Sequence, residues 1–225
     1  MKSFEQYFST TTPAQRVIAA VEAIADGRAV ALLDDVDREN EADLILAAER
    51  VTVPEMARMI RDCSGIVCLS LSHDLIETLQ LRPMVADNRS RYGTAFTVSI
   101  EAREGVSTGI SAADRVTTVR AALSLDARNI VSPGHIFPLR AAEGGVLERR
   151  GHTEGAVDLA RLAGLLPAGL LCELARPDGE MMRGEETVAY AQERHMPVLT
   201  IADLVEWRKR ALNVQPARLG EPSAI

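Results

Sequence analysis

Ten residues carry the densest chemistry of this sequence: Asp34-Asp35-Val36-Asp37-Arg38-Glu39-Asn40-Glu41-Ala42-Asp43. Six carboxylates in ten residues repel one another, so something must compensate the charge. One account is a solvated acidic hairpin tip. The other is a divalent cation, because hard Mg²⁺ or Mn²⁺ prefers carboxylate oxygens and keeps coordination positions open for substrate oxygens. Arg38, set among the acids, suits a phosphate or carboxylate better than a metal. The stretch alone does not choose, and three other places hold candidate partners. His135 lies in Ser132-Pro133-Gly134-His135-Ile136-Phe137-Pro138-Leu139-Arg140, where the prolines and glycine predict a stiff turn before a strand, with the imidazole either structural or catalytic. Arg149-Arg150-Gly151-His152-Thr153 precedes a helical run, Gly155 to Ala163, so free backbone N–H groups, an arginine and a threonine hydroxyl meet where an anion could bind. Glu173 sits in Leu170-Leu171-Cys172-Glu173-Leu174 and is either desolvated, with a pKa raised toward proton-transfer use, or turned to solvent by strand alternation.

The elements that must position these groups are legible from periodicity. Thr12-Pro13-Ala14-Gln15 is a capping box, apolar residues follow at helical spacing from Val17 to Ala25, and Gly27 stops the helix. Ala29–Leu33 and Leu44–Ala48 read as two buried strands joined by the acidic stretch. Thr52-Val53-Pro54-Glu55 opens a second helix, Ile66–Leu71 is a strand, and Ser72–Leu81 a short helix with His73 at the surface. After the polar connection Arg82–Gly93, the alternating run Thr94–Ile100 predicts a strand, and Gly105–Ile110 a loop into a helix capped by Ser111. The segment Gly155–Ala163 reads as amphipathic, with Ala156, Leu159, Ala160 and Ala163 on one face. Asp178-Gly179 marks a turn, a helix near Glu185–Glu193 ends at His195, Pro197–Ile201 is a last strand, and Ala202–Ala211 a closing helix with the single tryptophan, Trp207. Several strand-to-strand steps are too short for crossovers, which favours a mixed sheet over a doubly wound parallel one.

Composition narrows the class. With 225 residues, 47% hydrophobic and 25% charged, the chain has a globular balance and room for one large domain or two small ones. A net charge of −7 disfavours nucleic acid and anionic membranes as partners, so an anionic substrate needs a local basic site or a metal. No apolar run approaches the roughly 20 residues of a membrane span. Met1-Lys2-Ser3-Phe4-Glu5 lacks the apolar core of a signal peptide. Cys63, Cys68 and Cys172 form no C-x-x-C pair, which predicts a reducing, cytoplasmic setting and argues against structural zinc.

Five motifs in order then converge on one family. They are Asp37-Arg38-Glu39-Asn40-Glu41, Gly109-Ile110-Ser111-Ala112-Ala113-Asp114-Arg115, Pro133 to Arg140, Arg149-Arg150-Gly151-His152-Thr153-Glu154 and Pro167-Ala168-Gly169-Leu170-Leu171-Cys172-Glu173. From about residue 14 to about residue 210 the chain resembles the 3,4-dihydroxy-2-butanone 4-phosphate synthases of riboflavin biosynthesis. The resemblance implies a lyase that converts D-ribulose 5-phosphate to L-3,4-dihydroxy-2-butanone 4-phosphate and formate with Mg²⁺ (or Mn²⁺). The steps would be a metal-stabilised enediolate, dehydration and a 1,2-skeletal shift. It implies Glu39 and His152 as metal ligands, and Arg38, Glu39, Asp43, Arg149, Arg150, Gly151, His152, Thr153 and Glu173 around the substrate. His135 and Glu173 match the two catalytic positions, and Thr108, Glu41 and Cys68 fall near active-site motifs. The implied fold is α+β, a single domain of three layers with a mixed twisted sheet covered by helices on both faces. The expected domain is 1–212, with a flexible tail at 213–225, and the expected assembly is a homodimer with active sites at the subunit interface.

Two departures from the family pattern stand out. Ala42 replaces a common glycine and is expected to stiffen the acidic loop, and Gly155 replaces a common alanine at a helix start, costing roughly 1 kcal/mol or less. The cysteine-rich zinc motif of a C-terminal GTP cyclohydrolase half is not seen, so a monofunctional chain is expected. Rival readings are a metal-dependent pentose-phosphate isomerase or epimerase, which releases no formate, and a non-catalytic phosphosugar- or nucleotide-binding module. The second has no use for two histidines and buried carboxylates around one anion site.

Overall fold

A computed structural model describes residues 1–214. Helix α1 (Phe4–Ser9), an addition to the predicted elements, starts on a Ser3–Gln6 capping box. Helix α2 (Pro13–Ala25) begins on the predicted Thr12–Gln15 box and is followed by Gly27 at φ 76°. Strands β1 (Val30–Leu33) and β2 (Ala42–Ala47) pair antiparallel with Leu33 opposite Ala42, so the acidic stretch is their hairpin connection. Asn40 makes the tight return at φ 55°, a conformation asparagine tolerates better than most residues. Ala42 is no loop residue: it is fully buried in β2 and stiffens nothing but the core.

Helix α3 (Val53–Asp62), strand β3 (Cys68–Leu71) and helix α4 (His73–Thr78) follow as expected, with His73 half-buried. The predicted strand over 94–100 is broken. Phe96 and Thr97 make only isolated bridges, to Leu139 and Pro83, and regular pairing starts at β4 (Ile100–Ala102). The neighbouring strand explains this, since Pro138 has no N–H to donate to a ladder there. Helix α5 (Ala112–Leu123) is capped by Ser111, and β5 runs unbroken over Ile130–Arg140. His135 therefore sits within a strand, not on a turn before one. Helix α6 (His152–Leu162) starts ahead of the predicted Gly155 and is buried on all sides from His152 to Ala160, not amphipathic. Strand β6 (Ala168–Glu173), helix α7 (Gly184–Glu193), strand β7 (Val198–Thr200) and helix α8 (Ile201–Val214) complete the described residues. The expected tail, 213–225, overlaps the last two residues of α8, Asn213 and Val214, and its remainder, 215–225, lies outside the described residues.

Seven strands form one sheet in the order β4-β5-β3-β6-β2-β1-β7, with β1–β7 and β3–β5 parallel and the other neighbours antiparallel. Alternation assigns its two faces. Leu33, Leu44, Leu46, Leu69, Leu71, Leu170 and Cys172 meet α3, α4, α5 and α7 on one side. Val30, Leu32, Ile45, Ala47, Cys68 and Leu171 meet α2, α6 and α8 on the other. The result is the expected α+β arrangement of a mixed sheet between helical layers. On the α6 side, the same alternation brings Asp43 and Glu173 out of β2 and β6 directly opposite each other. Glycines let α6 lie close: a Cβ on Gly169 would stand 2.9 Å from Ala156 Cβ, and one on Gly155 2.6 Å from Leu32 Cδ2.

Candidate active site

Asp34 organises the acidic connection from its buried end. One carboxylate oxygen accepts from the Glu41 backbone N–H at 3.0 Å, the other from the Glu39 N–H at 3.1 Å and from Arg38 Nη1 at 2.9 Å. The same guanidinium nitrogen also donates to Glu39 Oε2. Asp34 is thus consumed in shaping the loop, a role for which its position right after β1 is the available sequence signal.

Above the loop stands the first turn of α6. His152 is buried, and its Nε2 donates to the Leu32 carbonyl oxygen at 3.1 Å. That bond fixes the ring and turns Nδ1 toward Asp43 Oδ1 at 3.7 Å and Glu39 Oε2 at 3.8 Å. Burial acts to lower the His152 pKa, but the carboxylates of Asp43, Glu39 and Asp34 outweigh it and hold the imidazole up at about 9. Burial also opposes ionisation of Glu39, yet His152 and Arg38 pull it below the ordinary carboxylate range. Asp43 is 2% exposed and its Oδ1 has no hydrogen-bond partner. Burial first, then Glu173 across the ladder, pushes its carboxyl well above the usual range despite His152. Glu41 is raised by burial and by the nearby Glu173 and Glu39.

One donor each from Asp34, Glu39 and His152 lie within 4.8 Å of one another. Asp34 is held in the loop by three donors, so the groups that face open space are Glu39, the orphaned Asp43 Oδ1 and His152 Nδ1, whose lone pair is offered once the imidazolium gives up its proton. A carboxylate, a tautomer-fixed imidazole and an unpaired buried oxygen suit a hard divalent cation.

These groups open into a cleft of about 210 Å³ lined by Arg38, Glu39, Glu41, Asp43, Cys68, Arg149, His152, Thr153 and Glu173, with Phe96, Leu139 and Leu171 as apolar walls. Cys68 is buried, which pushes its thiol pKa up, so it serves as wall rather than nucleophile. No side chain caps the start of α6, leaving first-turn N–H groups beside the Thr153 hydroxyl and Arg149. Gly151 is the N-cap, and a Cβ there would come within 2.3 Å of Arg149 Nη1. Arg149 is aimed by Glu154 at 2.6 Å and reaches the Tyr92 carbonyl and the Thr94 hydroxyl at 3.2 and 3.1 Å. Tyr92 in turn donates its hydroxyl to the Arg38 carbonyl at 2.6 Å, joining the Arg82–Gly93 connection to the acidic loop. Nothing but its being the one aromatic in a polar run singles out Tyr92 in the sequence. A larger cavity of about 610 Å³ adjoins, between α4 and residues 83–97, but it holds no comparable set of acid–base groups.

Not every sequence candidate enters the cleft. Arg150 turns away to Asp35 at 2.9 Å. His135 is not among the lining side chains. Its Nδ1 is 2.6 Å from Glu101 Oε2, whose other oxygen accepts from the Thr118 hydroxyl at 2.6 Å. Glu101 is a buried acid directly after the alternating run Thr94–Ile100, and that placement is its only signal. Thr108 sits on the neighbouring exposed loop, where Gly109 packs so tightly that a Cβ would overlap Glu101 and His135.

Comparison with known proteins decides the family. Residues 18–207 match the profile of 3,4-dihydroxy-2-butanone 4-phosphate synthase. The enzyme of that name from Cupriavidus pinatubonensis is 64% identical over 198 residues, covering 87% of this chain and 89% of that one. The chain belongs to the 3,4-dihydroxy-2-butanone 4-phosphate synthase family. The synthase from Ralstonia nicotianae is 60% identical over 208 residues, covering 92% of each chain. Among solved structures, a 3,4-dihydroxy-2-butanone 4-phosphate synthase in complex with two magnesium ions superposes with a TM-score of 0.84 at 40% identity, covering 86% of this chain and 96% of that one. A two-domain synthase from A. baumannii gives a TM-score of 0.82 at 45% identity over 86% of this chain, which spans 57% of that protein's length. Among the described residues, no helix is long and apolar enough to cross a membrane.

Proposed function

We propose that this member of the synthase family is a Mg²⁺- (or Mn²⁺-) dependent lyase that converts D-ribulose 5-phosphate to formate and L-3,4-dihydroxy-2-butanone 4-phosphate for riboflavin biosynthesis. The observation that carries the reading is the meeting, in one cleft, of the Glu39–His152–Asp43 donor set with the uncapped start of α6 and Arg149. The first suits a divalent cation and the second a phosphate. Glu39 and His152 would hold the metal, which when bound supplies Lewis-acid stabilisation of developing enediolate charge. Arg38, Arg149, Thr153 and the first-turn N–H groups bind and orient the anionic substrate. Asp43 and Glu41, both held above the usual carboxylate range, are suited to take up the first proton near neutral pH. Glu173, half-buried at the end of β6, faces the same space and is assigned to the later shift and fragmentation, together with His135. The three free cysteines suit a cytoplasmic setting.

His135 and Thr108 belong to this reading through a homodimer in which they complete the cleft of the second copy. Their place outside the cleft of their own chain supports it, as do Ile66 and Ile110, which are 50% and 56% exposed. Co-expressing His135→Ala and Glu173→Ala chains tests it. Each variant alone should be inactive, whereas random pairing leaves one intact site per heterodimer and about a quarter of wild-type turnover. No recovery would remove His135 from the partner's site.

The overall reading is tested by formate release from ribulose 5-phosphate with Mg²⁺ and with excess EDTA, for the wild type and His152→Ala. Metal-dependent formate that disappears in the variant is expected. A pentose phosphate product without formate would identify an isomerase instead, and bound but unconverted substrate a binding module.

A further inference from the structure

Glu173 is the last residue of β6, where a side chain would ordinarily be free to swing. Here it is held at two points by one residue. The Ser64 backbone N–H donates to the Glu173 carbonyl oxygen at 2.8 Å, while the Ser64 hydroxyl lies 2.6 Å from Glu173 Oε2. The hydroxyl is the donor, and 2.6 Å is a short O–H···O hydrogen bond. The hydroxyl is itself fixed: Oγ accepts the Ile66 backbone N–H at 3.2 Å and lies 3.3 Å from Cys172 Sγ, one residue before Glu173. Beyond it, the Leu174 N–H donates to the Ala42 carbonyl at 2.8 Å, closing the other side of the strand end. Ser64 follows the C-cap of α3, and of the contacts its hydroxyl makes, the one to Glu173 is the shortest.

We propose that Ser64 is a positioning residue for Glu173: it fixes Oε2 from behind, so that the remaining carboxylate oxygen is presented into the cleft in one orientation. The proposal rests on the reading of Glu173 as part of a synthase site. Its effect belongs to the reacting geometry rather than to substrate capture, since the phosphate- and metal-holding residues are on other elements. Misplacing a reacting group by about 1 Å costs on the order of a hundredfold in rate.

The test is steady-state formate release from ribulose 5-phosphate with Mg²⁺, for wild type, Ser64→Ala, Ser64→Thr, Glu173→Gln and the Ser64→Ala/Glu173→Gln double variant. For Ser64→Ala, kcat should fall roughly ten- to a hundredfold with KM changed less than about threefold. Ser64→Thr, which keeps the hydroxyl, should stay within about threefold of wild type, and the double variant should be no slower than Glu173→Gln alone. Thermal melting confirms folding, and Ser64→Cys replaces the alanine variant should that one melt below the assay temperature. Wild type without formate release removes both the synthase reading and the proposal. An active wild type with Ser64→Ala equally active, with threonine as poor as alanine, or with the two losses multiplying in the double variant overturns the role of Ser64 alone.

Discussion

Replacing Asp43 by asparagine should stabilise the metal-free protein and weaken its response to metal. Asp43 is 2% exposed, with Oδ1 unpartnered and Glu173 opposite it in the ladder. Ionising a buried carboxylate whose Oδ1 has no partner costs at least about 1–3 kcal/mol, which the neutral amide escapes, and losing the attraction to His152 takes part of that back, leaving a gain of about 1–2 kcal/mol. For a chain of this size that is a rise of about 2–8 °C in melting temperature. The pH dependence follows from linkage. The folded carboxyl is held well above its ordinary 3.8, so between the two values the folded chain keeps a proton that the unfolded chain releases. Wild-type stability therefore falls as pH rises through that window. The advantage of the variant should be near zero at about pH 4 and grow as pH rises above it. Adding Mg²⁺ at a hundred times its dissociation constant gives wild type about 2.7 kcal/mol and the variant little, which inverts the ranking. Melting in EDTA and in Mg²⁺, at fixed protein concentration, measures all of this. An asparagine variant less stable than wild type in EDTA at pH 8 would refute the reasoning, because it would mean that Asp43 is compensated without a cation.

Two further substitutions probe the scaffold. Tyr92→Phe removes the 2.6 Å bond to the Arg38 carbonyl, so the acidic loop and the Arg82–Gly93 connection should open independently. KM for ribulose 5-phosphate should rise several-fold, on the order of 1 kcal/mol, with faster amide exchange in both segments; unchanged exchange would disprove the coupling. Gly155→Ala adds helix propensity of about 1 kcal/mol but drives a methyl against Leu32 and Ile201, both fully buried, for an overpacking cost of about 1–3 kcal/mol. A melting temperature lower by a few degrees is expected, and a higher one would show that α6 gives way.

What was legible in the sequence was what local pattern controls. The Thr12, Thr52 and Ser111 caps, the buried strands around the acidic stretch and the short strand-to-strand steps all reappear in the fold. The failures share a cause in long-range contact. The alternation of Thr94–Ile100 is a genuine strand signal, but a strand needs a partner ladder, and Pro138 on the neighbouring strand interrupts it. Helix α6 reads as amphipathic because small and charged residues share it, yet Glu154 and Asp158 are buried with the small ones by layers that only the whole topology supplies. Of the cleft, Arg38, Glu39, Asp43, Arg149, His152, Thr153 and Glu173 were named from the family motifs, whereas residue pattern alone reached only the acidic stretch, the α6 start and Glu173. Asp43 differs from its acidic neighbours only in lying inside β2, and that depends on register. Glu101 and Tyr92 are ordinary residues until the fold sets them beside His135 and Arg38.

The engagement of Arg38 with both Asp34 and Glu39 has a consequence for the order of events in the cleft. The chain carries its own counter-ion, so the acidic hairpin can fold without waiting for metal. A cation held by Glu39 would supply that neutralising charge instead, and the guanidinium, still paired with Asp34, would be left free to meet an anion at the mouth of the cleft. Metal and phosphorylated substrate should then each tighten the binding of the other by the same factor. Titrating Mg²⁺ with and without ribulose 5-phosphate in a Glu173→Gln background reads that factor, and equal affinities would dismiss the exchange.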